Sequence, residues 1–141
     1  MKNRNLKIDD NWRTPDLIYT MLNDRFNFDF DPCPYFEGQI TPDKDGLLIG
    51  WGKVNFVNPP YSRKIKEAFV MKGIDLQKQG ITSVFLLPVS TSTKLFHDHI
   101  KPNAKSIEFV KGRIKFMKYD ECGNLYTPKN GGMHDSMIVV F

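Results

Sequence analysis

Four consecutive residues carry the clearest chemistry in the chain: Asn58-Pro59-Pro60-Tyr61. An asparagine side-chain carbonyl and the backbone carbonyl beside it, fixed because proline has no N–H and a locked φ, present two acceptors converging on one point. That geometry fits an NH2 group. An exocyclic amine conjugated to a purine ring is a weak nucleophile, and accepting hydrogen bonds from both its hydrogens favours the electron density it must offer to an electrophile. Tyr61 adds an aromatic face on which the ring carrying that amine can stack. A rigid surface turn would use the same residue types, so the elements around the string decide what it is for.

Those elements are legible from pattern. Val54-Asn55-Phe56-Val57 reads as a strand running straight into the string, which puts Asn58 at a carboxyl strand end, where open α/β sheets place their ligands. Ser62 then caps a helix carrying Ile65, Ala68, Phe69 and Leu76 inward, with Gly80 as its stop. Upstream, Thr14 as cap and Pro15 at the first helical position begin a helix ending near Phe26. Phe26 to Asp31 alternates apolar and polar as a strand does, and Pro32 and Pro34 stop it. Residues 35 to 53 read as mostly loop with one short element. Ser83 to Leu87 is a continuous apolar run ending at Pro88, as in a strand buried on both faces. Residues 91 to 100 form a short amphipathic stretch, and Ser106 to Val110, Ile114 to Tyr119 and Ser136 to Phe141 read as strands. The sum is an α/β domain with a mostly parallel sheet and an antiparallel edge.

Composition bounds the rest. The 141 residues are 40% apolar and 13% aromatic, which fits one ordinary soluble domain and leaves no room for multi-domain machinery. Cys33 and Cys122 stand far apart without CxxC or CxxH spacing, so neither a zinc module nor a secreted disulfide framework is expected. His97 and His99 have no acidic or histidine cluster at metal spacing, and no metal is expected. The longest apolar runs fall far below the ~20 residues of a membrane span, and no leader is read at the N-terminus, so the expected location is the cytoplasm. Residues 1–11 are polar and aperiodic and are expected to form a loosely docked arm before a domain over 12–141. The net charge of +4 is uneven: residues 1–60 hold seven basic and nine acidic side chains, the remainder thirteen and seven. A basic C-terminal part suits a nucleic-acid partner.

The string resembles the amine-acceptor motif of S-adenosylmethionine-dependent amino methyltransferases. The chain as a whole resembles the small phage-type DNA N-6-adenine methyltransferases through Trp12-Arg13-Thr14-Pro15, Phe28 to Cys33, Asp45-Gly46-Leu47, Trp51-Gly52, Asn58-Pro59-Pro60-Tyr61, Leu86-Leu87-Pro88, Lys111 to Phe116, and Ser136 to Phe141, in that order. The resemblance implies a single-domain, Rossmann-like methyltransferase of reduced size, mostly parallel with an antiparallel C-terminal edge. It implies methyl transfer from S-adenosylmethionine to adenine N-6 in double-stranded DNA, by base flipping and in-line displacement. Asn58 and the Pro59 carbonyl would hold the amine and Tyr61 would stack on the base, Pro60 completing the rigid turn. Asp31, with Pro32 beside it, would bind the cofactor's ribose or methionine end, Asp45 would lie near its adenine amine, and Trp12, Thr14, Pro15 and Asn58 would line the same pocket. Arg63, Lys64, Lys111, Arg113 and Lys115 are the phosphate-contact candidates, the last two projecting to one side of a strand. No obligate protein partner is inferred.

Two departures from the family pattern stand out. After Asp31 comes Pro32-Cys33-Pro34-Tyr35-Phe36 in place of a glycine-rich turn, and Gly131 to Asp135 replaces an Ala-Pro-Phe-Pro-like stretch. Pro32-Cys33 also resembles the nucleophile of cytosine carbon-5 methyltransferases, but the chain lacks their Glu-Asn-Val acid, and Cys33 reads as a pocket-wall residue. Three alternatives use the same residues: an RNA base as substrate, a protein glutamine amide as substrate, or a methyltransferase fold that binds DNA without turnover. The 120–135 connection is where base recognition is expected.

Overall fold

Alternation along the central strands divides the core in two. In a computed structural model, which describes residue 4 and residues 12–36, 38–129 and 132–141, β1 (Val54–Val57) and β2 (Thr82–Pro88) pair in parallel. Val57, Phe85 and Leu87 point to one face and Phe56, Val84 and Leu86 to the other, the period-two consequence of the pleat. The first face packs on Phe69, Val70 and Ile74 of α2 (Arg63–Gln77), the second on Leu22 of α1 (Asp16–Phe26). The result is a mixed α/β arrangement of helix, sheet and helix.

The sheet order is β1-β2-β6-β3, with β3 at Ser106–Phe109 and β6 at Ser136–Val140. Because β6 is antiparallel to both β2 and β3, three of the four strands run one way and β6 alone is reversed. The expected antiparallel C-terminal edge is therefore corrected: the reversed strand lies inside the sheet and β3 forms the edge. All of Ser136–Val140 is buried, which an apolar strand covered on both faces requires. Leu95–Ile100 is π-helical and runs into a last turn, Lys101–Asn103 (α3).

Two expected strands shrink. From Phe26 to Asp31 only Phe30 pairs, by a parallel bridge to Asn55, because Asn27 adopts a left-handed φ of 54° to close α1, its N–H donating to Asn23 O. From Ile114 to Tyr119 only β4 (Lys118–Tyr119) forms a ladder, with β5 (Leu125–Tyr126). The alternation survives there as burial, with Ile114 and Phe116 inside and Arg113 and Lys115 outside. Residues 1–11 lie outside the described residues except Arg4, which is docked through a bridge to Ile40 and an ion pair with Asp45. Residues 130 and 131 of the 120–135 connection also lie outside them.

Gly46 brings two loops together. A Cβ there would sit 2.0 Å from the Pro32 carbonyl oxygen and 3.0 Å from the Phe69 ring, so only glycine lets the 45–47 turn press against the loop after Phe30. Gly46→Ala is expected to destabilise the fold by about 1–3 kcal/mol, read as a lowered urea midpoint with unchanged slope.

Candidate functional site

Parallel pairing aligns two carboxyl ends. The bridge between Phe30 and Asn55 sets the chain leaving Phe30 beside the chain leaving β1, so Asp31 and Asn58 come to one edge of the sheet. Both line a cleft of about 360 Å³ with Trp12, Thr14, Tyr19 and Cys33. Sequence reasoning placed Trp12, Thr14, Pro15, Asp31, Pro32, Asp45 and Asn58 around one pocket; Trp12, Thr14, Asp31 and Asn58 line this cleft, whereas Pro15, Pro32 and Asp45 do not.

Thr14 behaves differently from its expected role. The helix starts one residue later than read, with Pro15 as its cap and no side-chain capping bond. The Thr14 hydroxyl oxygen instead accepts a hydrogen bond from the Asn58 side-chain NH2 at 3.0 Å. That engagement fixes the amide's rotation and leaves its carbonyl as the group with acceptor capacity to spare. The fixed prolines on its C-terminal side hold the backbone in the same way.

Asp31 lies between two lobes. On one side is the cleft; on the other is an apolar cavity of about 290 Å³ lined by Phe30, Pro32, Phe36, Ile40 and Ile49, and Asp31, Cys33 and Pro34 wall both. Burial raises the Asp31 carboxyl to about 6, although the Cys33 N–H that donates to it at 2.8 Å acts in the opposite sense. Burial, with the Asp31 charge adding to it, pushes the Cys33 thiol up to about 12. Burial there disfavours the thiolate, in keeping with Cys33 as a wall residue of the two lobes.

Asp45 is buried and already engaged: Arg4 Nε donates to Oδ2 at 3.1 Å and the Leu47 N–H to Oδ1 at 2.9 Å. It lines neither lobe, whereas its neighbours Asp43 and Lys44 line the apolar one. Tyr61 also stands apart from both lobes. Its ring meets Phe116 and His134 edge-on, with centroids 6.0 and 5.9 Å away. Its hydroxyl is buried with no hydrogen-bond partner among the described residues, and burial raises the phenol well above its ordinary value. Pro59 and Pro60 are buried behind Asn58.

The phosphate-contact candidates form two exposed groups. Arg63 and Lys64 open α2, Arg63 pairing with Glu67 at 3.2 Å. Lys111, Arg113 and Lys115 lie exposed before β4, Arg113 pairing with Asp135 at 3.1 Å. Sequence reasoning missed Tyr35 and Tyr119, which line the cleft and whose rings lie 5.7 Å apart. Their separation of 84 residues leaves no local signal. Arg13 ties the same region together, its backbone bridging Met117 and its guanidinium lying over the Tyr119 ring.

No helix among the described residues is long and apolar enough to cross a membrane. A family model described as DNA N-6-adenine-methyltransferase (Dam) matches residues 2–141. No curated protein and no solved structure matches the chain.

Proposed function

Because the chain belongs to the DNA N-6-adenine-methyltransferase (Dam) family, we propose that it transfers a methyl group from S-adenosylmethionine to the N-6 amine of adenine in double-stranded DNA, acting in the cytoplasm through a Rossmann-like domain spanning residues 12–141. The observation that carries the reading is the Asn58 amide, whose NH2 is committed to Thr14 while its carbonyl lies at the carboxyl edge of the sheet. Family membership favours adenine in DNA over the RNA and glutamine alternatives. The three strands running one way and the helix on each face support the Rossmann-like architecture.

The residues fit the cofactor. Asp31 between a polar and an apolar lobe suits a ligand with an apolar ring at one end, hydroxyls in the middle and charges at the other. In this reading the lobe with Phe36, Ile40 and Ile49 takes the adenosine ring, Asp31 the ribose hydroxyls, and the cleft with Trp12 and Thr14 the methionine end. Asp45 acts through the turn it holds. S-adenosylmethionine, when bound, supplies an electrophilic sulfonium methyl group.

The chain's own residues prepare the nucleophile. The target adenine is flipped out of the duplex, at a cost of a few kcal/mol in lost stacking and pairing. Asn58 Oδ1 and the Pro59 carbonyl accept its two amine hydrogens, which keeps the nitrogen lone pair available for in-line attack. In this reading the base reaches past the cleft to stack on Tyr61, which lies outside both lobes and is half-buried beside Phe116 and His134, and Arg63, Lys64, Lys111, Arg113 and Lys115 hold the flanking phosphates.

The test is incubation with methyl-labelled S-adenosylmethionine and unmethylated duplex DNA, followed by digestion to nucleosides. Label in N-6-methyladenine is expected; measurable cofactor binding with no labelled DNA would overturn the reading. Thr14 gives a finer prediction. Thr14→Val keeps the shape and removes the acceptor, and is expected to lower kcat about tenfold, the equivalent of one ordinary hydrogen bond. KM for DNA should stay within about twofold, and Thr14→Ser should restore the rate; a valine variant with wild-type kcat would remove Thr14 from a positioning role.

A further inference from the structure

A further cavity lies on the α2 face of the sheet. It has a volume of about 330 Å³ and opens at the carboxyl end of β2. Its floor is apolar, from Leu87, Phe96 and Met137, and its rim carries Arg63, Lys66, Glu67 and Lys94.

The rim charges do not cancel. Glu67 is held by Arg63, and among the described residues neither the Lys66 nor the Lys94 ammonium has a hydrogen-bond or ion-pair partner within 4.0 Å. Lys66 is half-buried, and the carboxylate acting on it, Glu67, is shared with Arg63, whose like charge opposes it; an ammonium partly withdrawn from water with only a shared counter-charge is a position that an anion stabilises. An anion over an apolar floor with one aromatic ring is the complement of a nucleoside phosphate, with phosphate on the lysines and base against Phe96. A second observation marks the same wall: Phe96 sits in the π-helical Leu95–Ile100, with Leu95 and Ile100 buried beneath it. Such turns are rare and concentrate at functional sites.

This cavity is distinct from the cleft around Asn58. The cleft and Tyr61 belong to the α1 face, Tyr61 packing on the core that contains Leu22 and Phe116, whereas Leu87 and Met137 belong to the α2 face. Residues 58 to 63 connect the two, since Asn58 lines the cleft and Arg63 the cavity. A DNA strand crossing this turn with its target at Asn58 would bring an adjoining nucleotide over the second opening.

We propose that the α2-face cavity is a second nucleotide site, which takes one unstacked nucleotide neighbouring the target adenine in the same strand, its phosphate on Lys66 and Lys94 and its base against Phe96, Leu87 and Met137. It rests on the reading that Asn58 receives adenine. With an apolar floor the site tolerates different bases, so its contribution is grip rather than sequence choice.

The probe is 2-aminopurine deoxyriboside 5′-monophosphate, titrated by fluorescence into the full chain saturated with S-adenosylhomocysteine, so that the cofactor lobes are closed to it. The expected result is binding that weakens about tenfold or more in a Lys66→Gln/Lys94→Gln variant, persists in Asn58→Ala, and is displaced by unmethylated duplex DNA. Absence of binding, or binding lost in Asn58→Ala and kept in the lysine variant, overturns the site. Binding that duplex DNA does not displace assigns the cavity to a free nucleotide and overturns its place on the DNA path. The titration needs no turnover, so failure of the wild-type protein to label DNA is a separate outcome that overturns the adenine reading alone.

Discussion

Replacing Asn58 with alanine is expected to lower the methyl-transfer rate about a thousandfold while changing S-adenosylmethionine affinity far less. The asymmetry follows from what the side chain does. Its NH2 bonds to Thr14, so its carbonyl serves the substrate amine, and an acceptor that acts on the reacting nitrogen contributes to the transition state more than to ground-state binding. Losing one such preorganised contact typically costs about 10²- to 10³-fold, and alanine also releases Thr14. Asn58→Asp separates the two effects. A carboxylate keeps the acceptor, and Thr14 can donate to it, so this variant should retain more activity than alanine. Single-turnover rates with calorimetric cofactor titrations check both; an alanine variant near the wild-type rate would remove Asn58 from the chemistry.

Asp31→Asn should weaken cofactor binding by about 10- to 100-fold, the range for a hydrogen bond to a charged group. Wild-type affinity should itself fall as the pH drops through about 6, where Asp31 takes up a proton, and the asparagine variant should lack that step. Stability moves the other way. The carboxyl is raised from its ordinary 3.8 to about 6, so between those values the folded state holds more protons than the unfolded one. Stability therefore declines with rising pH across that window, by up to about 3 kcal/mol. The asparagine variant should melt higher than wild type at pH 8 without cofactor, and the gap should narrow as the pH is lowered through 6. Unchanged cofactor affinity in the variant would take Asp31 out of the site.

Much of this was legible in residue order, for reasons that differ by element. β2 and β6 follow from apolar runs and β1 from the short run before the motif; α2 was legible in extent but not in its inward face, since Ala68 is exposed while Val70 and Ile74 are buried with Phe69. The Asn58 motif is local, four adjacent residues, and its place at a strand end follows from the strand before it. Thr14 illustrates the limit. Threonine before proline at a helix start satisfies a capping pattern, yet its hydroxyl meets a residue 44 positions away, and a tertiary partner outcompeted the local one. Phe26 to Asp31 failed as a full strand for a similar reason: Phe28 is drawn to Tyr19 and Phe56, while Asn27 ends the helix instead of extending a ladder. Asp45 was legible as a special acid, but its ion pair with Arg4 joins a residue in a stretch with no periodic signal.

The buried reversed strand has a consequence for how the protein is made. β6 supplies both pairings that join β2 to β3, and it is built from residues 136–140, after every other strand. Until those residues leave the ribosome, β2 and β3 each present an unpaired edge, and the apolar faces of Leu86, Leu87 and Phe85 lack their partners. Exposed edges of that kind template association between chains. Until β6 has formed, the fold therefore holds two open edges, and truncation after Asp135 should yield insoluble chains instead of soluble, weakened ones.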